Sequence, residues 1–156
     1  MRKHILIIAA VLLLFCCFTW CKKDDVSLSK DSLLNIVLYN QPLETIQKYI
    51  QGKWKVVYGK GGISSNEIQY CKDCSVEFTS TNKIISNSFA ITDGAVTIQW
   101  TKEKGTYTNG EDTYTMKFYD KYNYPWVYVV DRIYKDTLIY HDNSDDAVFY
   151  YCVKSN

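Results

Sequence analysis

From Lys53 onward the chain alternates apolar and polar residues with period two, and that rhythm leaves little freedom of fold. "KWKVVY" sets Trp54, Val56 and Tyr58 against Lys53 and Lys55, and "CSVEFTS" sets Val76 and Phe78 against Ser75, Glu77 and Thr79. "AVTIQWTK" opposes Val96, Ile98 and Trp100 to Thr97, Gln99 and Thr101, and "DTYTMKFY" opposes Tyr114, Met116 and Phe118 to Thr113, Thr115 and Lys117. Successive side chains of a strand point to opposite faces, so such alternation marks strands with one buried and one wet face. "KIISNSF", "WVYVVDRI", "TLIYH" and "AVFYYCV" complete a set of about eight short strands. The breaks "STN", "TDG", "GTYTNGED", "YKD" and "DNSDD" are turn-like and leave no room for crossover helices. Sequential antiparallel strands either close as an up-and-down barrel or stack as a sandwich, and closure removes exposed edges. An all-β, about eight-stranded antiparallel barrel over residues 52–156 is the expected fold.

Before the barrel, "PLETIQKYIQG" carries helix signals at both ends. Pro42 suits the first helical position and Gly52 the residue past the end, while Leu43, Ile46 and Ile50 make one apolar stripe. The apolar "SLLNIVLY" is read as a second short helix, giving a helical segment over 32–51. Upstream, "KKDDVSLSKDS" is polar and without period, so residues 21–31 read as a tether.

The first 20 residues pair a basic "MRKH" with the apolar run "ILIIAAVLLLFCCF". A spanning helix needs about 20 apolar residues, and this layout is that of a cleaved secretory leader. Cys21 at the junction resembles the lipobox of bacterial lipoproteins, in which that cysteine becomes the lipidated N-terminus; Cys16 and Cys17 are competing positions. "CKKDD" resembles the start of mature lipoproteins of the Bacteroidota type, where lysines and paired acidic residues mark export to the outer cell surface. The resemblance implies a protein held in the outer membrane by its N-terminal lipid and facing the cell exterior. Acyl chains alone hold a protein on a membrane.

Charge and chemistry narrow the function classes. Losing Arg2 and Lys3 takes the 18 basic residues to 16, against 17 acidic ones, so no basic excess is left for nucleic acid. The mature chain has one histidine, His141, which removes His-based triads and multi-His zinc sites. Glu67, Glu77, Glu103 and Asp131 show no paired spacing, and catalysis, a metal or a cofactor is not expected. "CKDC" (Cys71, Cys74) leads into a strand rather than opening a helix, which speaks against a redox site. In an exported protein a structural disulfide is expected, either Cys71–Cys74 or one of them with Cys152. "HDNSDD" lacks the glycine and terminal glutamate of a calcium loop and reads as a solvated hairpin turn.

"YIQGKWKVVYGKGG" resembles the opening of lipocalin-like domains of bacterial lipoproteins, with Gly52-Lys53-Trp54 matching their Gly-x-Trp element. "DTLIYHDNSDDAVFYYCVK" is similar to the last hairpin of the same families, so the likeness spans about Gln41 to Lys154. It implies a barrel whose inward residues Trp54, Val56, Tyr58, Phe78, Ile98, Trp100, Tyr114, Met116 and Phe118 line a cup for a small hydrophobic ligand. The same bulky residues, with Val76 and Val96, could equally fill the barrel. In that case exposed aromatics such as Tyr122, Tyr124 and Trp126 in "YDKYNYPWVY" would bind a protein or glycan partner instead.

Overall fold

The computed structural model describes residues 34–63, 67–87 and 94–155. The leader, the tether and Cys16, Cys17 and Cys21 lie outside the described residues. In chain order the elements are β1 (Ile36–Val37), α1 (Leu43–Ile50), β2 (Gly52–Gly61), β3 (Ile68–Tyr70), β4 (Ser75–Phe78) and β5 (Lys83–Ser86). They continue with β6 (Ala95–Thr97), β7 (Gln99–Lys104), β8 (Asp112–Tyr119), β9 (Pro125–Tyr134), β10 (Thr137–Asp142) and β11 (Val148–Lys154).

All pairings are antiparallel and run β6-β5-β4-β2-β11-β10-β9-β8-β7, with β3 on β2 and β1 on β9. The two ends of this path, β6 and β7, are consecutive in the chain and separated by Ile98 alone. They are halves of one bent stave, and counting them so gives the eight staves of a nearly closed up-and-down barrel. The fold class read from the alternation is the one observed. At the bend the Ile98 N–H donates to the Asn82 carbonyl (2.9 Å) and Asn82 Nδ2 donates back to the Ile98 carbonyl (2.8 Å). The β4–β5 turn thus satisfies the backbone groups that a bend would otherwise leave unpaired.

Helix α1 precedes the first stave, with Ile46 and Ile50 buried, Glu44 in its first turn and Lys48 in its last, the charge order that suits the helix dipole. Gly52, at φ +107°, turns the chain into β2 in a conformation that favours glycine. Trp54 Nε1–H then donates to the Ile50 carbonyl (2.6 Å), taking up one of the acceptors a helix end leaves open. Lys154 closes the seam from the last strand. Its ammonium sits 4.3 Å from the Trp54 ring centre and donates to the Gln51 carbonyl.

Over residues 34–39, the described part of "SLLNIVLY", the expected second helix gives way to a short strand. Ile36 and Val37 pair instead with Ile133 and Arg132 of β9. The reason is an open edge: β8 pairs β9 only over Pro125–Val129, and β1 takes the stretch beyond. Both β1 residues are β-branched, and Leu38 next to them is fully buried. The cysteine pairing is Cys71–Cys74, with Cys152 free and buried.

Candidate functional site

The barrel axis is occupied by aromatic rings. Tyr128 contacts Phe118 (5.7 Å between centroids), Trp126 (6.2 Å), Tyr140 (5.5 Å) and Tyr150 (5.9 Å), and Tyr140 stacks on Tyr150 at 5.1 Å. Tyr128 hydrogen-bonds Tyr150, and Tyr140 hydrogen-bonds the Cys152 thiol. Burial raises all three phenols and pushes the Cys152 thiol up to about 12, so every one of these groups stays neutral. Of the residues expected to line a cup, Trp54, Val56, Phe78, Ile98, Met116 and Phe118 belong to this packed core, with Trp100 and Tyr114 partly buried against it.

Tyr58 does not face inward. The register between β2 and β11 steps from Tyr58↔Tyr151 to Val56↔Cys152, so Val57 is an extra, bulged residue. A bulge reverses the parity of everything beyond it. Gly59 therefore takes the inward place beside Tyr150, and Tyr58 goes outside, stacked on Tyr151 at 4.4 Å. Tyr128, Tyr140 and Tyr150, absent from the expected lining set, are the main filling. Their signal was present in the alternation of Leu138 with Tyr140 and of Val148, Tyr150 and Cys152.

In the "YDKYNYPWVY" stretch, Asp120 Oδ1 accepts from the Tyr122 and Tyr124 N–H groups, and Oδ2 from Trp126 Nε1–H. Those bonds, led by the one from Tyr124, hold its carboxyl below the ordinary value. Tyr122 and Tyr124 are exposed as expected, whereas Trp126 turns in and stacks parallel to Tyr128.

Two surface regions combine apolar and polar groups. The first is a cleft of about 300 Å³ between α1 and the bent stave, where Ile50, Phe78, Ile98 and Trp100 meet Gln47 and Asn82. Asn82 Oδ1 accepts from Trp100 Nε1–H (2.5 Å) and fixes that indole.

The second lies on the outer face of the sheet. Registers across β9, β10, β11, β2 and β3 align Arg132, Ile139, Tyr151, Tyr58 and Tyr70 in one transverse row. Four inter-strand steps of ~4.8 Å make it about 19 Å long. Both bulges of the sheet flank this row, Val57 beside Tyr58 and Asp131 beside Arg132. Each freed carbonyl has a partner from another segment: Val57 accepts from Cys71 N–H in the disulfide loop, and Asp131 accepts from Leu38 and Tyr39 N–H. Bulging β9 puts the Asp131 side chain next to that of Arg132, and the carboxylate takes Arg132 Nε–H at 2.7 Å and Nη2–H at 3.3 Å. The bond to Asp131 raises the guanidinium further above its ordinary value. Burial, then the neighbouring Tyr58 and Asp131, raise the Tyr151 phenol, against a lowering by Arg132. Two depressions of about 340 Å³ share Phe149 and Tyr151 of β11, one reaching Asp131 and Arg132 of β9, the other Lys60 of β2, Asp145 and Tyr107.

The "HDNSDD" segment bonds both within its own hairpin and to the β7–β8 loop. Asp142 Oδ2 accepts from Val148 N–H and Asn143 Oδ1 from Thr106 N–H.

No known protein family matches the chain, and no curated protein or solved structure is significantly similar to it.

Proposed function

We propose that this chain is a lipid-anchored, surface-displayed binding module of the outer membrane. Its partner site is the outer face over β9, β10, β11 and β2 rather than the barrel lumen. One observation carries this reading: aromatic rings that hydrogen-bond one another occupy the barrel axis, while an aromatic row flanked by two bulges stays open outside. Tyrosine and arginine are among the residue types enriched at binding hot spots, tyrosine because it supplies contact area at small entropic expense and arginine because its planar guanidinium both stacks and donates several hydrogen bonds. The anchor half rests on Cys21 and "CKKDD" and on their likeness to lipoproteins. The lipocalin-like half rests on Gly52-Lys53-Trp54, with Lys154 laid over Trp54.

The test has two arms in the native host. A photo-crosslinking residue at Tyr134, beside the row, should give a discrete protein or glycan adduct on intact cells, and one at Lys102 on β7 should not. Native mass spectrometry of the purified chain should show the mass of the lipidated protein alone. An extra small apolar mass, lost on organic extraction, would overturn the outer-face reading. For the anchor, labelled palmitate should enter the wild-type chain and not Cys21→Ala.

A second reading is favoured by the α1 cleft. Its volume sits at the lower end of the ~300–1,000 Å³ range of small-molecule sites, and its apolar floor with a few polar groups is the usual composition of one. There Phe78, Ile98 and Trp100 would hold a small hydrophobic ligand at the rim of the barrel. If an apolar mass is found, Trp100→Ala should remove it.

A further inference from the structure

Within the outer face one place has a definite shape. Ile139 is a short side chain flanked on β11 by Tyr151 and on β9 by Arg132, with Tyr134 and Phe149 at its ends. One face of the Tyr151 ring is taken by Tyr58, which leaves the other toward Ile139. The two walls stand two strands apart, about 10 Å between their backbones. A ring in contact on both faces needs ~7–8 Å between the atoms that flank it, so a spacing of this order suits one planar group and not two.

The charge of the slot narrows its occupant. Arg132 is the only arginine of the mature chain, about half-exposed, and two of its N–H groups are held by the nearly buried Asp131. Asp131 repels a full anion and Arg132 a cation. What matches a fixed, half-neutralised guanidinium that lines one depression with a phenol ring is an electron-rich planar group, able to stack on the guanidinium plane and on Tyr151.

We propose that the slot over Ile139, walled by Tyr151 and by the Asp131-fixed guanidinium of Arg132, receives an aromatic side chain from a protein partner. The inference rests on the outer-face reading above and deepens it. It makes Arg132 and Tyr151 the specificity-determining pair and Asp131 a positioning residue.

The experiment uses the mature chain with Cys21→Ser, isotopically labelled and free of lipid. N-acetyl-tryptophanamide is titrated while the Arg132 Nε–H and Tyr151 ring signals are followed by NMR. The expected result is a saturable ring-current shift at both groups. N-acetyl-leucinamide should bind at least about tenfold more weakly. Arg132→Lys, which keeps the charge on an exposed side chain and so keeps the fold, should weaken the tryptophan probe about tenfold. Tyr151→Phe should leave it unchanged, and Tyr151→Ala should abolish it. No saturable shift, equal binding of the leucine probe, or binding that survives Tyr151→Ala at the α1 cleft would each overturn the proposal. So would maltotetraose producing the shifts in place of the tryptophan probe. If the probe fails while Tyr134 still crosslinks on cells, the slot assignment falls and the outer-face reading stands.

Discussion

His141 lies under Tyr107 and against Phe149, 1% exposed, with Nδ1–H donated to the Asp142 carbonyl at 2.9 Å. Burial lowers its pKa, and the bond to Asp142 and the Asp131 and Asp142 charges only partly oppose that. The folded value therefore lies below the unfolded one, near 6.5, and the unfolded chain binds the extra proton first. Stability should be full above about pH 6.5 and fall as pH drops through that value toward the folded pKa. Urea unfolding at pH 7.5 and pH 5 measures this, and His141→Gln should flatten the difference; a wild-type midpoint independent of pH would contradict it. In the core, Met116→Ala should lower stability by ~2–5 kcal/mol, because its neighbours are interlocked rings that collapse poorly into a cavity. Met116 and Phe118 were legible from alternation alone. Tyr58 was not, since a bulge has no signature in apolar pattern and a single extra residue inverts the face.

At the scale of elements, the bends and bulges set the shape. Gly61 ends β2 at φ +118°, and a Cβ there would meet the Ala147 carbonyl oxygen at 2.3 Å. Gly52, also at positive φ, would bring its Cβ only to the flexible end of Lys154, at 3.0 Å. Both alanine variants are strained, yet Gly61→Ala should be clearly the worse, forcing β2 away from the β10–β11 turn; thermal melts of the two decide. Strand pairs and α1 could be read from period and caps, because their residues express the local environment directly. β1 could not, because what makes Ile36–Val37 a strand is an unfilled edge a hundred positions away. The outer aromatic row left a trace. "LIY" and "FYYC" are apolar on both parities, which a strand with one wet face does not need. Their cross-strand alignment, however, depends on two bulges that only the folded register reveals.

For the molecule as a whole, the Cys71–Cys74 bridge closes a loop of sequence separation 3. Loop-closure entropy for so short a ring amounts to ~2 kcal/mol at most, so reduction should lower the melting temperature modestly and leave the barrel folded. Complete unfolding by a reductant alone would show that the loop's support of the Val57 bulge matters more than its entropy. The seam has a different consequence. Lys154 reaches Gln51 across 103 residues of chain, and β2 must wait for β11 before it gains its longest partner. Every other pairing between staves joins neighbours in sequence, β2 with β4 included. A chain folding from its N-terminus would thus build a curling ribbon, hairpin after hairpin, and shut it only when the last strand arrives. Until that moment the tyrosines of the future core face water, and refolding should be slow and tied to this one long-range closure.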